Sequence, residues 1–194
     1  LLEIVTGGYY YDGERTVAQL AVWNSTLGLE RVRAWYWVGD TPINSVAVGD
    51  VDGDTFTEIV TGGYYTSGVK IAQLVTWDGA TLSREEVYTW AWIGDTPINS
   101  VAIGDVDDDG STEIITGGSF YDGTYDSAQL AVWKGSDLTL KGVTFWRWIG
   151  DTRINSITIG DIDDDGTIEI VTGGSYHDGT RTIAQLTVWI ATSG

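Results

Sequence analysis

One unit of sequence recurs along the chain, and this constrains the fold more than any other feature. GDTPINS stands at 39–45 and 94–100 and GDTRINS at 150–156, so successive copies lie 55 and 56 residues apart. EIVTGG occurs at 3–8, 58–63 and 169–174, with EIITGG at 113–118. AQL occurs at 18–20, 72–74, 128–130 and 184–186, each followed two residues on by Val or Thr and then by Trp. Such a period marks a supersecondary unit that buries its apolar surface only against copies of itself. The 194 residues form one domain of two whole repeats, 46–100 and 101–156, flanked by partial repeats 1–45 and 157–194. The first partial repeat lacks the acidic loop of the others, and the last lacks the final third. The chain opens on LLEIVTGG, inside a pattern that later occurs whole, and holds no Met. It reads as a processed or truncated piece from which any signal peptide would already be gone.

Every segment of the repeat reads as strand. SVAIGDV and EIITGG are short, β-branched and broken by glycine, with an acidic loop between them. AQLAVW follows a turn at Asp12-Gly13, Ser67-Gly68, Asp122-Gly123 or Asp178-Gly179. The fourth strand carries tryptophans two apart, at Trp35 and Trp37, Trp90 and Trp92, and Trp146 and Trp148, so each pair shares one face. Helical periodicity is absent. The expected fold is therefore all-β, with four-stranded antiparallel sheets divided three, four, four and three strands along the chain.

In AQLAVW one face carries Ala128, Leu130 and Val132 while the other carries Ala131 and Trp133. Apolar residues on both faces mean a sheet held between two neighbours, which predicts a β-propeller built of such blades. A β-sandwich, the competing architecture, would leave one face of each strand wet.

The acidic loops carry the chemistry. In 105–113, Asp105, Asp107 and Asp109 fall at positions one, three and five, Gly110 at six and Glu113 at nine. Alternate carboxylates in a tight turn face one centre, and the carbonyl of Ser111 can add a ligand. An all-oxygen set of this size suits calcium; magnesium keeps more of its waters. Loop 161–169 repeats the arrangement with Asp161, Asp163, Asp165, Gly166 and Glu169. Solvated turns would also use Asp and Gly, but three carboxylates within a few ångströms repel one another unless a cation intervenes. An EF-hand is excluded, since its glutamate falls at position twelve and its loop joins helices.

A strand, then Asp-x-Asp-x-Asp-Gly-x-x-Glu, then an apolar strand ending in small residues, repeated every 55 or 56 positions, resembles the FG-GAP repeat of integrin α-subunit propellers and its VCBS-type microbial relatives. The resemblance covers essentially the whole chain. It implies calcium at Asp50, Asp52, Asp54 and Glu58, at Asp105, Asp107, Asp109 and Glu113, and at Asp161, Asp163, Asp165 and Glu169. TGG stands where the family has Gly-Ala-Pro, and INS where it has Phe-Gly, so no ligand specificity carries over. Loop 50–58 also has Thr55 where the others have glycine, and a threonine at positive φ costs about 1 kcal/mol. It is expected to be the weakest site.

Composition narrows the partners. With 28 acidic and 10 basic side chains the net charge is -18, which disfavours nucleic acid and anionic lipid and favours cations. No Cys is present, so disulfides and thiolate chemistry are absent. No apolar run approaches the roughly 18 residues that span a bilayer, so membrane insertion is not expected. Extracellular modules bind calcium at roughly 0.1–1 mM; at about 2 mM calcium, three sites at the tight end contribute roughly 5 kcal/mol. Such sites place the chain outside the cell or at its surface, and the sequon Asn24-Ser25-Thr26 is compatible with that.

The expected role is a calcium-stabilised module for binding, adhesion or structural assembly, not an enzyme. Asp40, Asp95 and Asp151, Asn44, Asn99 and Asn155, and Gln19, Gln73, Gln129 and Gln185 recur in register, which indicates structural work. The lone His177 has no evident partner for a triad. Positions that break the repeat are Arg31, Arg33, Tyr36, Lys70, Arg147, Arg153 and Arg181. Incomplete terminal blades would leave unpaired strand edges, so self-association as a two-chain ring or a head-to-tail filament is expected, with a compact four-bladed monomer as the alternative. A carbohydrate-binding or carbohydrate-processing propeller is the alternative, using Tyr9–Tyr11 and Tyr64–Tyr65 for glycan contact, with paired-carboxylate hydrolysis as its enzymatic form.

Overall fold

The structure is a computed structural model that describes residues 2–191; Leu1 and residues 192–194 of the two partial repeats lie outside the described residues. Fourteen strands form four antiparallel sheets, each a simple meander. Sheet 1 holds β1 (Glu3–Tyr11), β2 (Thr16–Asn24) and β3 (Leu29–Trp35). Sheet 2 holds β4 (Ile43–Gly49), β5 (Glu58–Ser67), β6 (Val69–Asp78) and β7 (Arg84–Trp90). Sheet 3 holds β8 (Ile98–Gly104), β9 (Glu113–Tyr121), β10 (Asp126–Lys134) and β11 (Leu140–Trp146). Sheet 4 holds β12 (Thr152–Gly160), β13 (Glu169–His177) and β14 (Thr182–Ile190). The three, four, four, three division is the expected one. No helix among the described residues is long and apolar enough to cross a membrane.

Local chemistry sets the turns. Gly13, Gly68, Gly123 and Gly179 adopt positive φ at the β1–β2, β5–β6, β9–β10 and β13–β14 connections. In three of them the preceding aspartate caps the turn: Asp122 Oδ1, for example, accepts from the backbone N–H of Thr124 and of Tyr125, both at 2.9 Å.

The two-sided apolar pattern of AQLAVW does what its alternation requires. Ala128 and Leu130 enter the core shared with sheet 4, whereas Ala131 and Trp133 enter the core shared with sheet 2. Three apolar clusters thus couple sheets 1 and 2, 2 and 3, and 3 and 4. No cluster among the described residues joins sheet 4 to sheet 1, so the sheets make an open series, not a closed ring.

Polar groups repeat with the same register across each junction. Asn44 Nδ2 donates to the carbonyl of Ile98, and Asn99 Nδ2 to that of Ile154, both at 2.7 Å. Ser45 and Ser100 accept from the backbone N–H of Val101 and Ile157, respectively. Trp35 donates to Gln73 Oε1, Trp90 and Trp92 both donate to Gln129 Oε1, and Trp146 donates to Gln185 Oε1. Asp40, Asp95 and Asp151 accept from the N–H of Thr16, Lys70 and Asp126. These eight Asn, Gln and Asp residues perform the structural role expected of them, whereas Gln19, on the outer sheet 1, is exposed. The first glycine of TGG permits the close approach: a Cβ at Gly117 would meet Ile154 Cγ2 at 2.8 Å.

Each end of the series leaves a face uncovered. Leu82 and Leu138, in equivalent turns of sheets 2 and 3, are 2% and 3% exposed against the preceding sheet, whereas Leu27 in sheet 1 is 69% exposed. At the other end Leu186 is 74% exposed, although its counterpart Leu74 is fully buried.

Candidate metal centres

Each acidic loop joins the first and second strands of its sheet. The closing glutamates Glu58, Glu113 and Glu169 begin β5, β9 and β13 and are buried. One oxygen of each is committed: Oε2 accepts from the N–H of Val51 at 2.9 Å, Val106 at 3.1 Å and Ile162 at 3.0 Å. The opening aspartates hold the turn. Asp105 accepts from the N–H of Asp109 and Gly110, Asp161 from those of Asp165 and Gly166, and Asp50 from those of Gly53 and Thr55.

This scaffold converges the carboxylates. One oxygen each from Asp50, Asp52 and Glu58, from Asp105, Asp107 and Glu113, and from Asp161, Asp163 and Glu169 lie within 4.8 Å of one another. The fifth-position residues Asp54, Asp109 and Asp165 stand outside those triads and accept from the N–H of Phe56, Ser111 and Thr167, each at 2.8 Å. Position six has positive φ in all three loops: 76° at Thr55, 84° at Gly110 and 93° at Gly166.

The electrostatics differ between loops. Burial pushes the Glu58 carboxyl up, the N–H of Val51 opposes it, and the charges of Asp52, Asp54 and Asp50 add to the rise. Glu85 on β7 is also pushed up, by burial and then by Glu58. In the second loop Lys141 on β11 reaches in, its ammonium 2.7 Å from Asp107 and 2.9 Å from both Asp109 and Glu113. Burial disfavours that charge, but the hydrogen bonds to the three carboxylates outweigh it and hold the lysine well above its ordinary range.

The residues present fit a hard cation. All donors are oxygens, Asp107 Oδ1 is buried without a hydrogen-bond partner, and an ammonium already sits among three of the carboxylates. These triads could hold a metal ion.

Elsewhere the charged residues that break the repeat make ordinary contacts. Arg31 pairs with Glu3, Arg33 bonds the carbonyl of Leu82, Arg15 lies over Tyr36, Lys70 over Tyr64 and Arg147 over Tyr125. Arg153 pairs with Asp126 and Arg181 with Asp178, and His177 Nδ1 accepts from the N–H of Gly179 within its turn. Lys70 and Arg153, together with Asn44, Asn99 and Asn155, line an open cavity of about 540 Å³. Sequence reasoning passed over Lys141, although Glu30 and Glu85 stand at the equivalent positions and mark it as a departure. It also passed over Thr41, Thr96 and Thr152, whose buried hydroxyls accept from the N–H of Trp37, Trp92 and Trp148.

Comparison with protein-family models and with curated proteins finds no match to this chain.

Proposed function

We propose that this chain is a calcium-stabilised segment of a β-propeller of the FG-GAP or VCBS type, acting outside the cell or at its surface as a binding or assembly module. The observation that carries this reading is the triple recurrence of a buried glutamate and two aspartates at the same strand junction. Each triad offers only oxygen donors and repels itself without a cation. Asp50, Asp52, Asp54 and Glu58, with their counterparts in the other two loops, supply the ligands. Bound calcium offsets part of each loop's negative charge and braces the first hairpin of its sheet, so the ion's role is structural.

Assembly follows from the uncovered end faces. Leu186 lies on a surface that sheets 1, 2 and 3 each bury against the next sheet, and Leu27 lies on one that sheets 2, 3 and 4 bury against the preceding sheet. A second copy presenting sheet 1 to sheet 4 would extend the same interface, a heterologous contact that closes a ring or continues as a filament. Sedimentation in calcium tests it: the wild-type chain associates at micromolar concentration and Leu186→Lys does not, whereas a monomeric wild type would overturn this part.

Exposed Tyr9 and Tyr11 favour a second reading, glycan binding. A glycan array separates the two readings, since a saturable signal lost in Tyr9→Ala and Tyr11→Ala would support carbohydrate recognition.

A further inference from the structure

β7 and β11 occupy the same place in sheets 2 and 3, and each pairs irregularly with its neighbour, the register shifting at Val75/Trp77 and at Val132/Trp133. A bulge re-aims the side chain it carries. In β11 the residue between the paired Leu140 and Gly142 is Lys141; its counterpart in β7 is Glu85. Lys141 is turned toward the acidic loop of its own sheet. It reaches Asp107, Asp109 and Glu113 at 2.7 to 2.9 Å, whereas the side chain at the β7 position is an acid of the same sign as its loop.

We propose that Lys141 is a tethered cation that occupies the ion position of loop 105–113 and must swing out before a divalent ion can bind, a cation that loop 50–58 lacks because Glu85 stands at the equivalent position. This rests on the cation-binding reading of the loops. An ion coordinated at about 2.3–2.6 Å needs the oxygens that the ammonium holds, so the two cations exclude each other. Lys141 can leave, because its side chain is partly exposed and its stem is flexible. It also satisfies the loop incompletely: its three donors serve one oxygen on each of three residues, and Asp107 Oδ1 stays buried and unpaired. A divalent ion with six or more ligands takes that oxygen too.

The loops therefore differ in kind. Loop 105–113 keeps its shape with or without metal, while loop 50–58 depends on the ion. Lys141 makes loop 105–113 the weakest site, which reverses the ranking drawn from Thr55.

Calcium calorimetry on the wild type, Lys141→Gln and Glu85→Lys, together with thermal melts in EDTA, tests this. Lys141→Gln raises the affinity of one site about tenfold, leaves the others unchanged and lowers the melting temperature in EDTA. The improved site is the one that Asp105→Asn removes. Glu85→Lys weakens a different site about tenfold and raises the melting temperature in EDTA. Calcium binding with unchanged affinities in both variants would overturn the role of Lys141 while leaving the loops as calcium sites. No calcium binding in any of the three proteins would overturn both.

Discussion

Asn99 on β8 donates its side-chain amide to the carbonyl of Ile154 on β12 at 2.7 Å, across the junction between sheets 3 and 4. Asn44 makes the same bond to Ile98 one junction earlier, so the INS segment is an intersheet stitch. Asn99→Ala removes the donor and with it the intersheet bond, at a cost of about 1 kcal/mol. The melting temperature should fall by about 2–4 °C, and no fall would show that the stitch adds nothing.

Thr55 holds φ at 76° where its counterparts are glycines. Thr55→Gly relieves that strain without touching the hydrogen bond from its N–H to Asp50, so it should stabilise the chain by about 1 kcal/mol. A denaturation midpoint unchanged or lowered would contradict a strained loop.

Gly117 lies under Ile154 and Ile157 of the next sheet. Gly117→Val forces sheets 3 and 4 apart and should destabilise by about 1–3 kcal/mol. The same substitution at Gly160, whose Cβ would meet nothing within 4 Å, serves as the control. Equal effects at both positions would argue against close intersheet packing.

The turn aspartates predict an acid-side response. Backbone N–H groups hold the carboxyls of Asp12, Asp122 and Asp178 below the ordinary 3.8. A carboxyl depressed in the folded state contributes stability that is present above 3.8 and lost as pH falls through its folded value. Replacing all three by Asn keeps the acceptor oxygen and removes the titration, so the melting temperature should fall less steeply below pH 4. A wild-type slope in the triple variant would contradict this.

What could be read from the sequence follows from range. Strands, turns and loops announce themselves locally: Gly110 must take positive φ, and the alternation in AQLAVW must have two buried faces. The bond from Trp90 to Gln129 is different, because it joins residues of successive repeats. Recurrence marks both residues as structural without saying that they meet. Lys141 was hidden for a related reason, since it lies 28 residues beyond Glu113 and only a bulge brings it back. Propeller blades were expected from the repeats with their closure left open, since closure depends on how sheet 4 and sheet 1 are covered. Residues 2–191 make an open series.

The most direct test of the account is the melting temperature of the wild-type chain in 2 mM calcium and in EDTA, with the bound metal counted by elemental analysis. Stabilisation of roughly 4 kcal/mol, mostly from the two loops without a lysine, predicts a melting temperature about 8–16 °C higher in calcium, with calcium retained by the protein. Identical melting temperatures and no bound metal would contradict it.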